Sequence, residues 1–150
     1  MKNKLEKKIS IAVEQMKKAG WRITEQRKTL YSVLCESSGP TSPKEILALH
    51  KEKHPSKSMD LVTVYRIMDK FEEIGLIHKV GHSSQFVVCD HIGCSSAYHI
   101  IQLCKVCKKA EEKHVPYDLV SPILSFVEDK HDFMSSQHSF CLEGYCKKCK

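Results

Sequence analysis

The chain has 150 residues, of which 41% are hydrophobic and 28% are charged. That balance is typical of folded domains and excludes fibrous or intrinsically disordered chains. No stretch approaches the roughly 20 apolar residues of a membrane helix, and the lysine-rich start lacks the apolar region of a signal peptide. We therefore expect a cytoplasmic protein with no membrane partner, built as one domain or two small ones.

The net charge of +6 is distributed unevenly along the chain. Residues 1–82 carry 16 Lys/Arg and 10 Asp/Glu, whereas residues 83–150 carry 8 of each. Cysteine shows the opposite distribution: only Cys35 lies in the first part, and the other seven fall between Cys89 and Cys149. This predicts a basic module that binds a polyanion, followed by a Cys/His module that binds a soft metal.

Hydrophobic periodicity predicts four helices in the basic module. They are expected over residues 5–19, 25–37, from 43 to the proline at 55, and 60–74. Thr24 and Ser42 are suitable N-caps for the second and third helices, because their hydroxyls accept hydrogen bonds from unpaired N–H groups. Pro43 suits the first turn of the third helix.

The fourth predicted helix is the most informative. Its two faces differ, because apolar side chains lie on one of them. The other face carries Val62, Thr63, Arg66 and Lys70. Two short alternating runs, 76–81 and 85–89, then predict a β-hairpin. Helices closed by a hairpin form a winged helix-turn-helix, with 60–74 as its recognition helix. An ordinary amphipathic helix explains the periodicity equally well, but the hairpin and the local charge favour DNA binding.

Residues 90–97 are polar and irregular, which predicts a hinge between a DNA-binding domain of residues 1–89 and a second domain of residues 98–150. Strands over 98–103, 109–115 and 133–143 and a helix over 116–130 are predicted there. The helix is expected to bury Leu119, Val120, Ile123, Leu124 and Val127. So small a domain rarely buries enough apolar surface by itself, so it needs a metal, a dimer partner or both. The predicted fold class is α+β, an N-terminal winged helix-turn-helix followed by a small α/β dimerisation domain.

Two CxxC pairs in the second domain indicate a zinc site. The four thiols are Cys104, Cys107, Cys146 and Cys149. Four thiolates suit tetrahedral zinc and leave no open coordination position, so the site is structural. Two disulfides or redox pairs are the alternative, but cytosolic chains disfavour standing disulfides, and no thioredoxin-like pattern surrounds either pair. We interpret Cys35 and Cys141 as packing residues.

Further nitrogen, sulfur and oxygen donors gather around the hinge. They are His78, His82, Cys89, His91, Cys94, His99, Glu111, Glu112 and His138. Mixed donors that join two modules suit a second, more exchangeable zinc site. For any single member, a surface histidine or an inert cysteine is the simpler interpretation. Spacing alone does not choose four ligands from this set.

Several motifs together resemble the ferric uptake regulator (Fur) superfamily over nearly the whole chain. They are Arg22-Ile-Thr-Glu-Gln-Arg27, Thr63-Val-Tyr-Arg66, the run Glu-Ile-Gly-Leu-Ile-His-Lys-Val at 73–80, the two CxxC pairs, and the His138…Gly144-x-Cys146 run. The resemblance implies a dimeric, metal-activated bacterial repressor with an N-terminal winged helix and a C-terminal dimerisation domain.

Within the superfamily, Phe86-Val-Val-Cys89 resembles the zinc uptake regulator (Zur) branch, in which a wing-strand Cys follows a His by 11 residues, as Cys89 follows His78. Carried over by position, the ligands of the regulatory zinc are His78, Cys89, Glu112 and, before the first CxxC pair, His99. The chain departs from the family pattern near this last ligand, where the usual His-rich run is reduced to Tyr98-His99-Ile100. His91 and Cys94 therefore stay as alternative fourth ligands.

A thiolate ligand favours zinc over Fe(II) or Mn(II), which suit sites built only from nitrogen and oxygen. The sequence therefore predicts a zinc-responsive repressor of zinc uptake genes that is not an enzyme. We expect one structural and one regulatory Zn²⁺ per subunit, and binding to palindromic operator DNA as a homodimer once the regulatory site is filled. An Fe(II)- or peroxide-sensing repressor of the same family is the alternative. A thiol redox switch or zinc carrier is the alternative from another class, and a zinc hydrolase is disfavoured because no motif for an open catalytic zinc is present.

The predicted DNA contacts lie on three helices. Arg66 is expected to read bases, since Arg pairs bidentately with guanine, and Thr63 shares its polar face. Tyr65 is a contact implied by the family resemblance, although the helical wheel places it near the buried edge. Lys44 and Arg27, near the starts of neighbouring helices, are expected to hold phosphates or nearby bases.

Overall fold

The chain forms two compact units, Met1–Ile92 (unit 1) and Gly93–Lys150 (unit 2). A computed structural model describes residues 2–92, 97–135 and 139–150. Within these ranges, no helix combines the length and apolar character that crossing a membrane requires.

Unit 1 contains four helices and a two-stranded wing among its described residues. The elements are α1 (Lys2–Lys18), α2 (Glu25–Glu36), α3 (Pro43–Lys53), α4 (Leu61–Glu73), β1 (Ile77–Lys79) and β2 (Phe86–Val88). The two strands pair antiparallel, with His78 opposite Val87. The helices and the hairpin predicted from the sequence are confirmed to within a few residues.

Side-chain caps set where three of these helices begin. Thr24 accepts a hydrogen bond from the Arg27 amide at the start of α2. Ser42 and Glu45 form a reciprocal capping box at the start of α3, which satisfies amides that the helix leaves unpaired. Asp60 caps α4 by accepting from the Thr63 amide at 2.7 Å.

The core of unit 1 is continuous and well filled. Its largest fully buried side chains include Tyr31 and Phe71, whose rings meet edge to face at 5.6 Å. The apolar face of α4 enters this core through Val64, Ile67, Met68 and Phe71, as the wheel predicts, although Leu61 is only half-buried. The wing is joined to the helices by paired backbone hydrogen bonds between Thr41 and Phe86, both 3.0 Å. The apolar face of α4 is therefore held in the core, and its polar face is directed outward.

Unit 2 is a three-stranded sheet with one helix. Its elements are β3 (Ala97–Cys104), β4 (Ala110–Pro116), α5 (Tyr117–His131) and β5 (Ser139–Gly144). The strand order is β4-β3-β5, with β4 antiparallel and β5 parallel to β3. Val120 and Leu124 on α5 pack with Tyr98 on β3 and Val115 on β4. The observed architecture confirms the predicted α+β fold class.

Two predictions about unit 2 were wrong in part. Val120 and Leu124 are buried, but Leu119 is 68% exposed and Ile123 is 59% exposed, because α5 meets its own sheet along only a narrow stripe. Val127 is half-buried. The strand predicted over 133–143 is wrong at 133–135, where the chain is irregular after α5 ends in the left-handed conformation at Asp132 (φ 49°). The strand β5 spans Ser139–Gly144, and residues 136–138 lie outside the described residues.

A buried histidine links two helices of unit 1. The Nε2 atom of His50 on α3 lies 3.2 Å from the Thr29 hydroxyl on α2, and that hydroxyl donates to the Glu25 carbonyl. A neutral His50 with its proton on Nε2 satisfies this arrangement, and its buried Nδ1 meets no hydrogen-bond partner in the described part of the chain. Burial lowers the pKa of His50, and the nearby His54 and Lys57 lower it further.

We expect acid to destabilise the fold through His50. Because its folded-state pKa lies below the ordinary value of about 6.5, the unfolded chain binds more protons than the folded chain once the pH falls below that value. The free energy of unfolding should therefore decrease below about pH 6.5. Replacing His50 with a neutral side chain, His50→Leu, should make this decrease smaller.

Urea unfolding of the zinc-loaded protein between pH 5 and pH 8 measures this effect. His54→Gln is the matched control, since it removes a neighbouring half-buried histidine and should leave most of the pH dependence intact. Equal pH dependence in the wild type and in His50→Leu would show that His50 is not the responsible group.

Candidate functional site

The four cysteines of the CxxC pairs meet at one end of the sheet in unit 2. Cys104 ends β3 and Cys107 lies in the turn that follows. The parallel pairing of β5 with β3 places Gly144 opposite Cys104, so that the chain leaves β5 directly beside the first pair. Strand pairing is therefore what brings Cys146 and Cys149 to Cys104 and Cys107.

The spacing of the sulfur atoms fits zinc. All four sulfurs lie within 4.8 Å of one another, and the Cys107 and Cys146 sulfurs are 3.8 Å apart. Tetrahedral zinc with bonds of about 2.3 Å separates its sulfur ligands by about 3.8 Å. The donors therefore fit a closed tetrahedral Zn²⁺ site with no position left for a substrate.

Backbone amides prepare this site for a cation. The Cys146 amide donates to the Cys104 sulfur at 3.4 Å, and amide hydrogen bonds from Cys146 and Cys107 lower the pKa of Cys104 to about 6. The adjacent Cys146 sulfur, together with burial, raises the pKa of Cys149. One thiol is thus ionised readily while another keeps its proton, which zinc displaces on binding. Lys108 adopts a left-handed conformation (φ 59°) that closes the turn after Cys107.

A second pair of donors lies on the wing of unit 1. His78 is in the middle of β1, and Cys89 directly follows β2, where its amide donates to the Leu76 carbonyl at 2.9 Å. Both residues are buried, and their donor atoms lie within 4.8 Å of each other. The His91 amide also donates to the Cys89 sulfur at 3.3 Å.

A third pair lies on the sheet of unit 2. His99 on β3 and Glu112 on β4 are diagonal neighbours on one face, because Ile101 stands opposite Glu112. The His99 Nδ1 atom is 3.5 Å from a Glu112 carboxylate oxygen, and both side chains are almost fully buried. Each of these two pairs supplies half of the donors that a tetrahedral metal ion requires.

The other candidate donors that the structure describes lie outside these clusters. His82 and His91 are exposed. The Glu111 carboxylate forms salt bridges with Lys109 and Lys113. Cys94, the other alternative fourth ligand, and His138 lie outside the described residues. Burial raises the pKa of the Cys35 thiol to about 11, which suits a packing role.

The predicted DNA-binding residues surround α4. Arg66 and Tyr65 are exposed on this helix, Tyr65 by 41%, so its ring is half packed as the wheel indicates. Lys44 is exposed on the first turn of α3, and Arg27 is half-buried on the first turn of α2. Thr63 is half-buried, beside the cap of α4.

Sequence reasoning missed one residue of this surface, Trp21. Its ring contacts two cations, Arg27 and Lys70. The sequence feature that could have drawn attention to it is that Trp21 is the chain's only tryptophan and lies in the short connection that precedes α2.

Comparison with known proteins identifies the family. Residues 18–142 match the model described as the ferric uptake regulator family. The peroxide operon regulator of Bacillus subtilis is 30% identical, with 92% of this chain and 90% of that protein covered. The peroxide-responsive repressor PerR of Staphylococcus epidermidis is 28% identical, with 97% and 93% covered.

Solved structures share the fold. A zinc uptake regulator complexed with zinc and DNA superimposes with a TM-score of 0.80 at 22% identity, covering 96% of this chain and 93% of that one. The crystal structure of holo XcZur gives 0.77 at 22% identity, covering 93% and 94%.

The described residues thus form a winged helix and a second unit with a cluster of four cysteines that fits a metal ion. The chain belongs to the ferric uptake regulator family, whose members are metalloregulatory repressors and not enzymes. The predictions of the family and of a non-enzymatic protein are therefore confirmed.

Removing one thiolate from the four-cysteine site should both release zinc and destabilise unit 2. Cys146→Ser is expected to lose one zinc equivalent per chain and several kcal/mol of stability, since structural zinc contributes about 10–16 kcal/mol of binding free energy that is coupled to folding. Zinc content by mass spectrometry and thermal unfolding measure the two effects.

Cys141→Ser is the matched control, because Cys141 lies on β5 in the same unit but outside the cluster. It should keep its zinc. A Cys146→Ser variant with unchanged zinc content and melting temperature would contradict the four-cysteine site.

Proposed function

We propose that this protein is a zinc-responsive repressor that binds palindromic operator DNA as a homodimer and controls zinc uptake genes. The observation that carries the proposal is the presence of two buried half-sites, His78 with Cys89 in unit 1 and His99 with Glu112 in unit 2. We infer that the two pairs bind the same regulatory zinc ion. Because they come from different units, that ion would restrict how the units are oriented.

The donor chemistry supports zinc. Cys89 contributes a soft thiolate, which Zn²⁺ accepts readily, whereas Fe(II) and Mn(II) suit sites of nitrogen and oxygen ligands. Two histidines, one cysteine and one carboxylate complete a four-coordinate set, so the site suits sensing rather than catalysis. The fold shared with a zinc uptake regulator solved with zinc and DNA supports the same conclusion.

The DNA-binding role follows from unit 1. Residues 1–92 carry 16 Lys/Arg and 11 Asp/Glu, and α4 exposes a polar face while its other face is fixed in the core. We propose that α4 enters the major groove, where Arg66 reads bases, while Lys44 and Arg27 contact phosphates. Such a repressor acts on chromosomal DNA, so we expect it in the cytoplasm.

The homodimer is proposed from the exposed apolar side chains of unit 2. Among the described residues, those at least half-exposed are Val106, Tyr117, Leu119, Ile123, Phe126, Phe133, Met134, Leu142 and Tyr145. So much exposed apolar surface on so small a unit marks an interaction site. A two-fold dimer would present two α4 helices to the two halves of a palindrome.

Coupling between zinc and DNA follows from the same arrangement. When bound, zinc would hold together four side chains from both units and so favour one orientation of the two α4 helices. Because coupling free energies are reciprocal, operator DNA must tighten zinc binding by the same factor by which zinc tightens DNA binding.

Sensing of iron or peroxide is a second candidate, favoured by the names of the relatives in Bacillus and Staphylococcus. Cys89 distinguishes the two candidates. A thiolate ligand suits zinc, whereas Fe(II) and Mn(II) suit ligand sets of nitrogen and oxygen only. A thiol redox switch or zinc carrier, in contrast, would not require a basic winged helix.

Zinc should activate DNA binding through Cys89. We expect buffered free Zn²⁺ to increase the affinity for a palindrome selected by the zinc-loaded protein by about 5- to 150-fold, and Cys89→Ser to abolish that increase. Fluorescence anisotropy at fixed salt measures the affinity, with Fe²⁺ and Mn²⁺ titrated in parallel.

Cys35→Ser is the matched control in unit 1 and should respond to zinc like the wild type. Retention of one zinc equivalent in Cys89→Ser shows that the four-cysteine site is intact. Equal activation by Fe²⁺ or Mn²⁺ would favour the second candidate, and sedimentation of the metal-loaded protein as a monomer would contradict the homodimer.

Arg66→Ala should weaken operator binding by about 1–3 kcal/mol and relax the base preference at one position of each half-site. Lys44→Ala should instead weaken operator and scrambled DNA alike, since phosphates carry no sequence information. Selection from randomised DNA with both variants measures the difference. Unchanged operator affinity in Arg66→Ala would show that the proposed docking of α4 is wrong.

A further inference from the structure

The ring of Trp21 contacts two cations from different helices of unit 1. Trp21 is half-buried in the connection between α1 and α2, and it packs against the helical core. The Arg27 guanidinium on α2 lies 5.5 Å from the ring centroid, and the Lys70 ammonium on α4 lies 5.1 Å from it. Both distances are within the range of about 6 Å for cation–π attraction.

These two cations differ from many others in unit 1. Carboxylates pair with Lys8, Lys17, Lys28, Lys53 and Lys57. Neither Arg27 nor Lys70 forms a salt bridge with a carboxylate of the described residues, and Arg27 instead donates to the backbone carbonyl of Arg22. An aromatic ring and a carbonyl orient a cation without neutralising it. Arg27 and Lys70 are therefore positioned but keep their full positive charge.

The position of Lys70 relates this pair to DNA. Lys70 lies one helical turn after Arg66 on α4, and side chains four residues apart share one face of a helix. The Trp21 ring that Lys70 contacts also contacts Arg27 of α2. Two cations from two helices, neither paired with a carboxylate of the described residues, thus contact one ring next to the face that carries Arg66. A backbone phosphate, with its negative charge and several acceptor oxygens, is the ligand that matches them.

We propose that Trp21, Arg27 and Lys70 form one phosphate clamp that grips the DNA backbone next to the base-reading Arg66. Arg27 and Lys70 bind the phosphate, and Trp21 is the positioning residue. The ring restricts two flexible side chains before DNA arrives, so less rotamer freedom is lost on binding. This inference rests on the proposed function and adds to it a phosphate site shared by two helices.

The clamp predicts coupled effects on DNA affinity. In the zinc-loaded, full-length protein, Trp21→Leu keeps an apolar side chain but removes the ring, and it should weaken binding by about two- to fivefold. Lys70→Met should weaken binding similarly and lower the slope of log K against log salt by about one per bound subunit. Both losses should be equal for operator and scrambled DNA, and Trp21→Phe should restore part of the affinity.

A double-mutant cycle separates positioning from general structure. Trp21→Leu should cost less affinity in the Lys70→Met background than in the wild type. In the Lys57→Met background its cost should be unchanged, since Lys57 pairs with Glu25 and the cations that contact the ring in the described part of the chain are Arg27 and Lys70. The single tryptophan also gives a direct signal: operator DNA should change the emission of Trp21, and less so in Lys70→Met.

The outcomes are distinguishable. If the zinc-loaded wild type binds no palindrome, the proposed function fails and the clamp with it. If the wild type binds but Lys70→Met and Arg27→Gln match it on both DNAs, or if the cycle is additive, the clamp alone is wrong. The two cation variants leave the ring in place, so they test the clamp even if Trp21→Leu fails to fold.

Discussion

The parallel pairing of β5 with β3 is the contact on which unit 2 depends. The described residues of this unit bury few large apolar side chains, namely Tyr98, Ile101, Val120 and Leu124, which is too little apolar surface to offset the entropy of ordering such a chain. The same pairing places two CxxC turns side by side. Metal–sulfur bonds can thus supply the stability that packing does not, and the apolar surface of α5 remains available for a partner subunit.

Unit 1, in contrast, has an extensive apolar core of its own. Its core is large, its helices begin at side-chain caps, and its wing is joined to Thr41 by paired backbone hydrogen bonds. Because its own apolar side chains form this core, we propose that His78 and Cys89 serve a regulatory ion and not a structural one. Zinc would then play two different roles in one chain. In unit 2 it would stabilise the fold, whereas at the proposed regulatory site it would favour one orientation of two units that are already folded.

The sequence predicts features whose signals are local. The caps at Thr24 and Ser42 and the two faces of α4 each depend on residues a few positions apart, and the structure has them as expected. Periodicity failed for Leu119 and Ile123, because it marks a side chain as apolar without saying whether its own chain or another one covers it. The role of Trp21 was missed because Lys70, far along the chain, reaches the ring only in the folded unit.

The separation of the paired cysteines has a consequence for the order of folding. Cys107 and Cys146 are 39 residues apart, so the four thiols can meet only after the chain has been made through the second CxxC turn. The α1–α4 bundle and its wing can fold during synthesis, well before the second CxxC turn has been made. Completion of a zinc–sulfur cluster would therefore be a late step, and the zinc available at that moment would set how many newly made chains gain its stabilisation.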